Sequence, residues 1–316
     1  MHLLIPFASS HADAARDALV DLHLPQLERL LAGLTLTHTD SDIEASLSPP
    51  HERALARSLG LPVQDGRIPW AAWAVRAADE ATPQAGACAW ITLCHWQNRS
   101  ARISLSDPQA LEVTAAESQS LLQAMRPYFA EDGITLTEQG AGRWLARGEP
   151  FQGLACASLD RVVGRRIDAW MPQAAHAKQL LRLQNEMQML LYTHAVNDAR
   201  GEQALQAINS FWISGAGALP PDFTDPKPDA AQLLMPLELR DAAVRADWSA
   251  WAQSWKALDA GAVTQALERL QQGRALTLTL CGERSAQRFE VRPMSLARRI
   301  AHLFNRKPAQ TILNSL

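Results

Sequence analysis

The chain alternates short apolar runs with helix-length segments, and this alternation constrains its fold more than any other sequence feature. "HLLIPF" near the start and "AINSFWI" at Ala207–Ile213 have the length and apolar character of buried strands. Between them lie segments with helical starts and stops, such as "LPQLERLLAGL", which ends at Gly33, and "SPPHERALARSLGLP", which Pro49 and Pro50 open. Such alternation is typical of α/β proteins. We therefore predict an α/β fold in which helices flank a mixed sheet.

Antiparallel hairpins are expected to accompany this sheet. "GACAWITLCHWQNRSARISLSDP", "GITLTEQGAGRWLARG" and "ALTLTLCGERSAQRFEV" each predict two strands around a turn. Thr114 and Glu117 have the T-x-x-E spacing of a capping box, which predicts a helix running to about Met125. Further helices are predicted around "SLDRVVGRRIDAW", over Gln173–His194 and in the tail "SLARRIAHLFNRKP". We expect a single domain of residues 1–316, and the proline-rich loop at 220–229 is where it could divide.

Composition and charge exclude several classes of partner. The 316 residues are 47% hydrophobic, and a formal net charge of −3 gives no overall attraction to nucleic acid or to an anionic membrane. No stretch approaches the roughly 20 apolar residues of a membrane span, and the first residues lack the pattern of a signal peptide. We therefore expect a cytoplasmic protein that neither binds nucleic acid nor spans a membrane. The oligomeric state stays open.

Four cysteines are too few and too scattered for a disulfide framework. Cys88, Cys94 and His95 could suggest a metal site, but strand parity places His95 on the face opposite the two cysteines. Cysteines packed between tryptophans are the favoured interpretation, and Cys281 in "LTLCGE" has the same one. We predict no metal and no cofactor.

The segment "LRLQNEMQMLLYTHAVNDAR" (Leu181–Arg200) predicts a helix with an unusual distribution of polar residues. Apolar residues lie on more than one side of it, yet its middle is polar. A buried amide or carboxylate without a hydrogen-bond partner costs several kilocalories per mole. These polar side chains are therefore expected either to bond neighbouring backbone or to face a small polar cavity. They are Gln184, Asn185, Glu186 and Gln188.

A ligand site, if present, is expected where this helix meets "THAVND" and "NSFWISGAG", because a helix, a loop and a strand so close in sequence should pack together. The amides of "SGAG" could hold an anion, although a structural turn is the favoured interpretation of that segment. His194 is more often a core or capping residue, and all these groups could simply bond one another and backbone. The predicted site residues are Asn185, Glu186, His194, Asn197, Asp198, Asn209, Ser210, Ser214, Gly215 and Gly217.

Several long strings resemble one family of proteins. "LQNEMQMLLYTHAVNDAR", "INSFWISGAG", "MRPYFAEDGITL" and "ASLDRVVGRRIDAW" are similar to the RpfE-type regulatory proteins, which are uncharacterised proteobacterial proteins. Some members carry the label of cofactor-independent phosphoglycerate mutase. The resemblance covers Trp90–Gly217 well and the ends more loosely, and it implies a regulatory role without an established activity.

The mutase label implies an alkaline-phosphatase-like core with two divalent metals. "LLIPF" resembles the first strand of that core, "LPQLERLLAGL" resembles its "TPNLDRLAxxG" helix, and "LDAGAVTQALERLQQGRALTLTLCGE" resembles a late helix and strand that end in a metal-binding "DHG". In this chain Pro6–Ala8 replaces the expected Asp-Gly, and Cys281–Glu283 replaces "DHG". Two-metal sites need several ligands around ions about 4 Å apart. The resemblance thus implies a degenerate core without its metals.

Three functions are open at this point. The leading expectation is a non-catalytic regulatory or small-molecule-binding protein, whose partner is a small phosphorylated metabolite or another protein. The alternative is a divergent phosphoglycerate-mutase-like enzyme acting on a phosphorylated metabolite, with His194 as acid or base. The third is a scaffold in which Trp248, Trp251 and Trp255 contact a partner protein, although core packing is the commoner role of such a helical stripe.

Overall fold

The computed structural model describes residues 1–78, 86–99, 102–173, 177–224, 233–291 and 308–316. The chain forms two compact units. The first comprises Met1–Glu44, Pro49–Leu59 and Asp225–Leu316, and the second comprises Ala45–Ser48 and Gly60–Thr224. The last boundary falls inside the loop at 220–229, and a single domain that could divide there stays a prediction.

Strands and helices alternate along the chain. The strands are β1 (His2–Ile5), β2 (Thr35–Ser41), β3 (Cys88–Cys94), β4 (Trp96–Arg99), β5 (Arg102–Leu105), β6 (Thr135–Gly140), β7 (Arg143–Arg147), β8 (Ser210–Gly217), β9 (Leu233–Leu234), β10 (Thr277–Cys281) and β11 (Ser285–Glu290). The helices are α1 (Asp13–Val20), α2 (Pro25–Ala32), α3 (Pro50–Ser58), α4 (Trp70–Ala78), α5 (Ala115–Glu131), α6 (Leu159–Val162), α7 (Ala177–Tyr192), α8 (Ala195–Glu202), α9 (Glu238–Val244), α10 (Trp248–Leu258), α11 (Thr264–Gln271) and α12 (Ala309–Leu313).

The first unit contains a five-stranded mixed sheet in the order β2-β11-β10-β1-β9. β1 runs parallel to both of its neighbours, whereas the β10–β11 and β11–β2 pairs are antiparallel. The side chains of β1 from Leu3 to Ile5 are fully buried, as expected for a central strand with helices on both faces. The predicted α/β fold with a mixed sheet and the predicted final hairpin are both confirmed.

The tryptophan stripe of α10 belongs to the core of the first unit. Trp251 and Trp255 are fully buried, and Trp248 packs against the same core. Their indole N–H groups need acceptors once they are buried: Trp251 donates to the carbonyl of Phe7 at 2.9 Å, and Trp255 donates to that of Ala8 at 3.2 Å. Core packing is therefore confirmed, and the reading of Trp251 and Trp255 as an exposed docking surface is wrong.

The second unit contains a four-stranded antiparallel sheet in the order β6-β7-β3-β8 and a separate β4–β5 hairpin. Side chains of α5 and α7 form the core on one face of the larger sheet. Those of α4 pack on the other face. The strand order places β8 at one edge of this sheet among the described strands.

Helix α5 shows both the strength and the limit of local prediction. The capping box is confirmed: the hydroxyl of Thr114 accepts from the backbone N–H of Glu117 at 3.2 Å, and the Glu117 carboxylate accepts from that of Thr114 at 2.7 Å. The helix continues past Met125 to Glu131, although Pro127 removes one helical donor. The extension is favoured because it buries Phe129 completely.

One local prediction is wrong, and another is confirmed only in part. "SLDRVVGRRIDAW" forms only the single turn α6 and a 3₁₀ turn at Ile167–Trp170, because Gly164 between them adopts φ +75°. The first predicted hairpin is confirmed in its β4–β5 part, on either side of the "QNRS" turn, but its first strand is divided, since β3 pairs with β7 and β8 in another sheet. The predicted tail helix lies almost wholly outside the described residues. In the described ranges, no helix combines the length and apolar character needed to cross a bilayer.

Candidate functional site

The predicted contact between the polar helix, the following loop and β8 is confirmed. Gln184 of α7 donates through Nε2 to the carbonyl of Phe211 in β8 at 2.7 Å. Asn197 of α8 donates to the carbonyls of Leu191 and Ile208, both at 2.7 Å, and accepts from the N–H of Ile208 at 2.8 Å. One amide side chain thus joins the end of α7 to the approach to β8.

Two more of the predicted site residues, Asn209 and His194, are also hydrogen-bonded to backbone groups. Asn209 accepts from the N–H of Trp96 at 2.7 Å and donates to its carbonyl at 3.0 Å, as a neighbouring strand would. His194 is the N-cap of α8, and its Nδ1 accepts from the N–H of Val196 at 3.2 Å. These bonds satisfy groups at a helix start and between chain segments, which are structural tasks.

The polar side chains of α7 point in different directions. Asn185 is exposed, as is Asp198 of α8. Glu186 pairs with the exposed Arg182 at 3.4 Å. Gln188 donates to the hydroxyl of the buried Ser210 at 3.4 Å. The polar side chains of α7 therefore do not share one environment. Gln184 and Gln188 bond a backbone carbonyl and a buried hydroxyl, whereas Asn185 faces solvent.

The segment "SGAG" is part of β8, so its interpretation as a turn is wrong. Its pairing with β3 shifts register by a bulge, and Gly215 and Gly217 adopt φ +61° and +137°. A Cβ on Gly215 would lie 2.9 Å from Cβ of Trp70 and 3.2 Å from Cδ1 of Trp90. Glycine is needed here because other side chains could not fit. Ligand binding by the ten predicted residues stays a prediction.

A cavity lies beside β8, and none of the ten predicted residues lines it. Its enclosed space is about 10 Å³, room for about one water molecule, and the empty space reaches about 300 Å³ only when the adjoining open solvent is included. It is not the small polar cavity that was one of the two alternatives for the polar residues of α7, because indole and aliphatic side chains form most of its wall. The lining residues are Ala157, Trp170, Met171, Pro172, Leu180, Leu181, Gln184, Trp212 and Ile213.

Hydrogen bonds hold two side chains of the cavity wall in place. The indole of Trp212 donates to the carbonyl of Ala157 at 2.9 Å, and the bond from Gln184 to Phe211 fixes the single polar side chain of the wall. Gln184 is only 5% exposed. The wall is therefore largely preformed, which reduces the ordering cost of binding.

The sequence contained a partial signal for this cavity. Gln184 interrupts an apolar helix, and Leu181 falls outside the main apolar stripe, because both face the cavity. Met189, which also falls outside the stripe, is 70% exposed. Trp170 and Trp212 come from distant segments, and no local pattern connects them with α7.

Sequence reasoning also missed Arg200, which is almost completely buried. Its guanidinium donates to Glu117 at 2.9 Å and to the carbonyls of Gln206 and Leu111 at 2.7 and 2.6 Å. Burial disfavours the charged form of Glu117, but hydrogen bonds from Thr114 and Arg200 outweigh it and hold the pKa of this carboxyl below its ordinary value. This network joins α5 to α8 and is structural.

The buried cysteines behave as predicted. Cys88, Cys94, Cys156 and Cys281 are buried and free of disulfides. Cys88 packs beside Trp90 and Cys94 beside Trp212, and burial raises the pKa of the Cys156 thiol to about 12. These thiols are therefore protonated, poor nucleophiles.

The carboxyl ends of the parallel strands β1 and β10 form a second candidate region, in the first unit. Ser10 donates to the carboxylate of Glu283 at 2.8 Å and accepts from the N–H of Ala12 at 3.2 Å. Phe7 adopts φ +52° in the loop after β1, and its ring contacts that of His51 at a tilt of 44°, with ring centroids 5.4 Å apart. Across the described ranges, no group of three or more His, Cys, Asp or Glu residues is arranged to hold a metal ion.

Comparisons with known proteins give distant structural likenesses. No protein-family model matches the chain, and no curated protein is similar to it. A solved cofactor-independent phosphoglycerate mutase from Thermoplasma acidophilum is 13% identical, with a TM-score of 0.36 over 92% of this chain and 89% of that one. A Pyrococcus horikoshii protein is 10% identical, with a TM-score of 0.43 over 92% and 87%. Likenesses at this level assign no activity, and the RpfE-type resemblance stays a prediction.

Proposed function

We propose that this chain is a non-catalytic binding protein with a regulatory role, and that it takes a small uncharged ligand in the cavity beside β8. The cavity itself carries this proposal. Its wall combines two indoles with aliphatic side chains and one fixed amide, Gln184, which is the usual composition of a ligand pocket. Among the described residues that line it none is titratable, so this part of the wall supplies no group for acid–base or nucleophilic chemistry.

The donor set at the ends of β1 and β10 supports a scaffold that does not hold two divalent ions. Apolar Phe7 and Ala8 stand where the metal-binding pattern needs a carboxylate, and the buried Cys281 begins the segment that replaces "DHG". Glu283 accepts a hydrogen bond from Ser10. Two-metal phosphoryl transfer needs several carboxylates or histidines converging on both ions, and these residues do not fit that requirement.

The cavity also favours a ligand different from the phosphorylated metabolite that the family resemblance implies. Neither lysine nor arginine is among the described residues of its wall. Moving a phosphate from water into such a site would cost far more than the single amide could return. We therefore assign the cavity to uncharged ligands.

A thermal-shift screen of the full chain tests the proposal. Neutral aromatic and aliphatic compounds should raise the unfolding midpoint, whereas phosphoglycerate and nucleotides should not. A ligand at 100 times its Kd adds about 2.7 kcal/mol of stability.

Two tryptophan substitutions on α7 show whether the thermal shift arises from binding in the cavity. Leu181→Trp fills the cavity and should abolish the shift, whereas Met189→Trp places the same side chain on the exposed face of the helix and should leave it unchanged. A screen without any stabilising neutral compound, or a shift that survives Leu181→Trp, contradicts the proposal.

One observation favours the alternative, a divergent phosphoglycerate-mutase-like enzyme. The Ser10–Glu283 pair lies at the carboxyl ends of adjacent parallel strands, where open α/β sheets usually bind ligands. Turnover of phosphoglycerate by the wild-type chain that disappears in folded Glu283→Gln protein would favour this enzyme over the binding protein.

A further inference from the structure

Strand β7 carries two arginines on one face of the four-stranded sheet. Successive side chains of a strand point to opposite faces. Trp144 and Ala146 belong to the core formed with α5 and α7. Arg143, Leu145 and Arg147 therefore lie on the other face, against which α4 packs. We call this the α4 face.

No acidic side chain of the four strands lies on the α4 face. Strands β3, β7 and β8 contain neither aspartate nor glutamate. Glu138 of β6 is paired with Trp144 of β7, so it points to the opposite face. The two arginines of β7 thus have no carboxylate beside them on the described strands.

The guanidinium group of Arg143 lies diagonally across the strand pair. Arg143 is paired with Thr92 of β3, but its guanidinium carbon is 4.0 Å from the ring centroid of Trp90, which is the partner of Leu145. Long side chains can make such diagonal contacts. A cation–π contact supports the positive charge without neutralising it, and within the described ranges no carboxylate pairs with Arg143. Its charge is therefore available to an anion.

Arg147 makes the corresponding contact with the other neighbouring strand. It is paired with Thr135 of β6, but it donates to the hydroxyl of Thr137, the β6 partner of Leu145, at 3.4 Å. It also lies beside the thiol of Cys88. Among the described residues, no carboxylate pairs with this guanidinium either. Both guanidinium groups are thus directed toward the row of Leu145, so they lie closer together than the about 13 Å between residues four apart in a strand.

The exposure of this surface decides which kind of anion fits it. Arg143 is exposed and Arg147 is half-buried, and Thr135 and Thr137 beside them are exposed. An exposed ion pair contributes at most about 1 kcal/mol, so a single phosphate or carboxylate group would bind weakly. An extended peptide with acidic residues at alternate positions presents carboxylates about 6.7 Å apart on one side. Such a segment can pair with both arginines at once.

Nucleic acid fits this surface less well than an acidic peptide does. Its affinity for proteins comes from many phosphate contacts, which two arginines do not supply. Bases of a single strand bind by stacking on exposed aromatic rings, whereas the ring of Trp90 is buried beneath Arg143. The charge and the exposure of the surface thus favour a protein partner.

We propose that the β6–β7 part of the α4 face binds an extended acidic segment of a partner protein, and that Arg143 and Arg147 each pair with one of its carboxylates. Among the described strands, β6 and β8 form opposite edges of the sheet. This surface is therefore separate from the cavity beside β8, and the inference does not depend on the function proposed for that cavity.

Fluorescence anisotropy of a labelled peptide mixed with the full chain tests the proposal. The probe is an octapeptide of alternating glutamate and threonine, measured at low ionic strength. An octapeptide of the same composition with consecutive glutamates is the comparison. We expect saturable binding of the alternating peptide, and weaker binding of the comparison peptide. Replacing both Arg143 and Arg147 with glutamine should weaken binding about ten-fold, as the loss of two exposed ion pairs implies.

A second pair of arginines is the matched control. Arg102→Gln combined with Arg166→Gln removes the same charge from exposed positions elsewhere in the second unit, and it should leave binding unchanged. Thr137→Glu places a competing carboxylate beside Arg147 and should weaken binding more than Thr137→Gln does. Absence of binding by the wild-type chain, equal weakening by the two arginine pairs, or binding of oligothymidylate in place of the peptide would overturn the proposal.

Discussion

Replacing Arg200 with methionine should destabilise the second unit by about 3–5 kcal/mol, the range for breaking a buried ion pair. The guanidinium is 2% exposed and bonds Glu117, the carbonyl of Leu111 and the carbonyl of Gln206. Methionine refills part of the volume but removes the donor to two carbonyls and leaves the Glu117 carboxylate with only its bonds from Thr114. Each bond from a charged donor contributes about 1.5–3 kcal/mol, and the three are not additive.

Urea unfolding of the full-length variants, followed by far-UV circular dichroism, measures this loss. Arg166→Met is the matched control, because Arg166 pairs with Asp168 at 2.8 Å but both side chains are about 60% exposed. Solvent screens such a pair, so the control should lose less than about 1 kcal/mol. Equal losses in the two variants would refute the argument that the buried network holds α5 against α8.

Three further predictions concern stability. Burial lowers the pKa of His2 to about 4, whereas the histidine of the unfolded chain titrates near 6.5. The neutral imidazole therefore contributes its full stabilisation above pH 6.5, and about 3 kcal/mol of the free energy of unfolding is lost as the pH falls to 4. Unfolding titrations of His2→Gln should lack this pH dependence. Gly215→Ala should lower the free energy of unfolding in urea by more than Gly153→Ala does. Both glycines have positive φ, but only at Gly215 would the new Cβ lie 2.9 Å from Trp70. Equal losses would contradict the packing argument. Asp259→Ala should cost about 1–2 kcal/mol, because its carboxylate accepts from the Gln26 and Leu27 N–H groups at the start of α2; an unchanged midpoint would contradict this capping role.

Local signals predicted many elements of this fold. The glycine that ends α2, the prolines that open α3, the capping box of α5 and the apolar run of β1 each act within a few residues, so the sequence displays them directly. Strand pairing is not local. Nothing in "CAWITLCHWQNR" shows that the chain leaves one sheet at His95, whose Nδ1 bonds to the carbonyl of Ala207 at 2.7 Å.

The candidate site, too, was only partly predictable from local sequence. The polar residues of α7 indicated unusual bonding, and Gln184 and Asn197 do bond the backbone around β8. The cavity could not be predicted, because Trp170 and Trp212 reach it from separate segments.

Indole N–H signals in a two-dimensional NMR spectrum test ligand binding in the cavity most directly. The chain has ten tryptophans, of which Trp170 and Trp212 line the cavity, whereas Trp251 and Trp255 lie in the core of the first unit. On titration with a neutral compound that raises the unfolding midpoint, the signals of Trp170 and Trp212 should move saturably while those of Trp251 and Trp255 stay in place. Saturable shifts confined to Trp251 and Trp255, or no shift at Trp170 and Trp212 with any uncharged compound, would contradict the account.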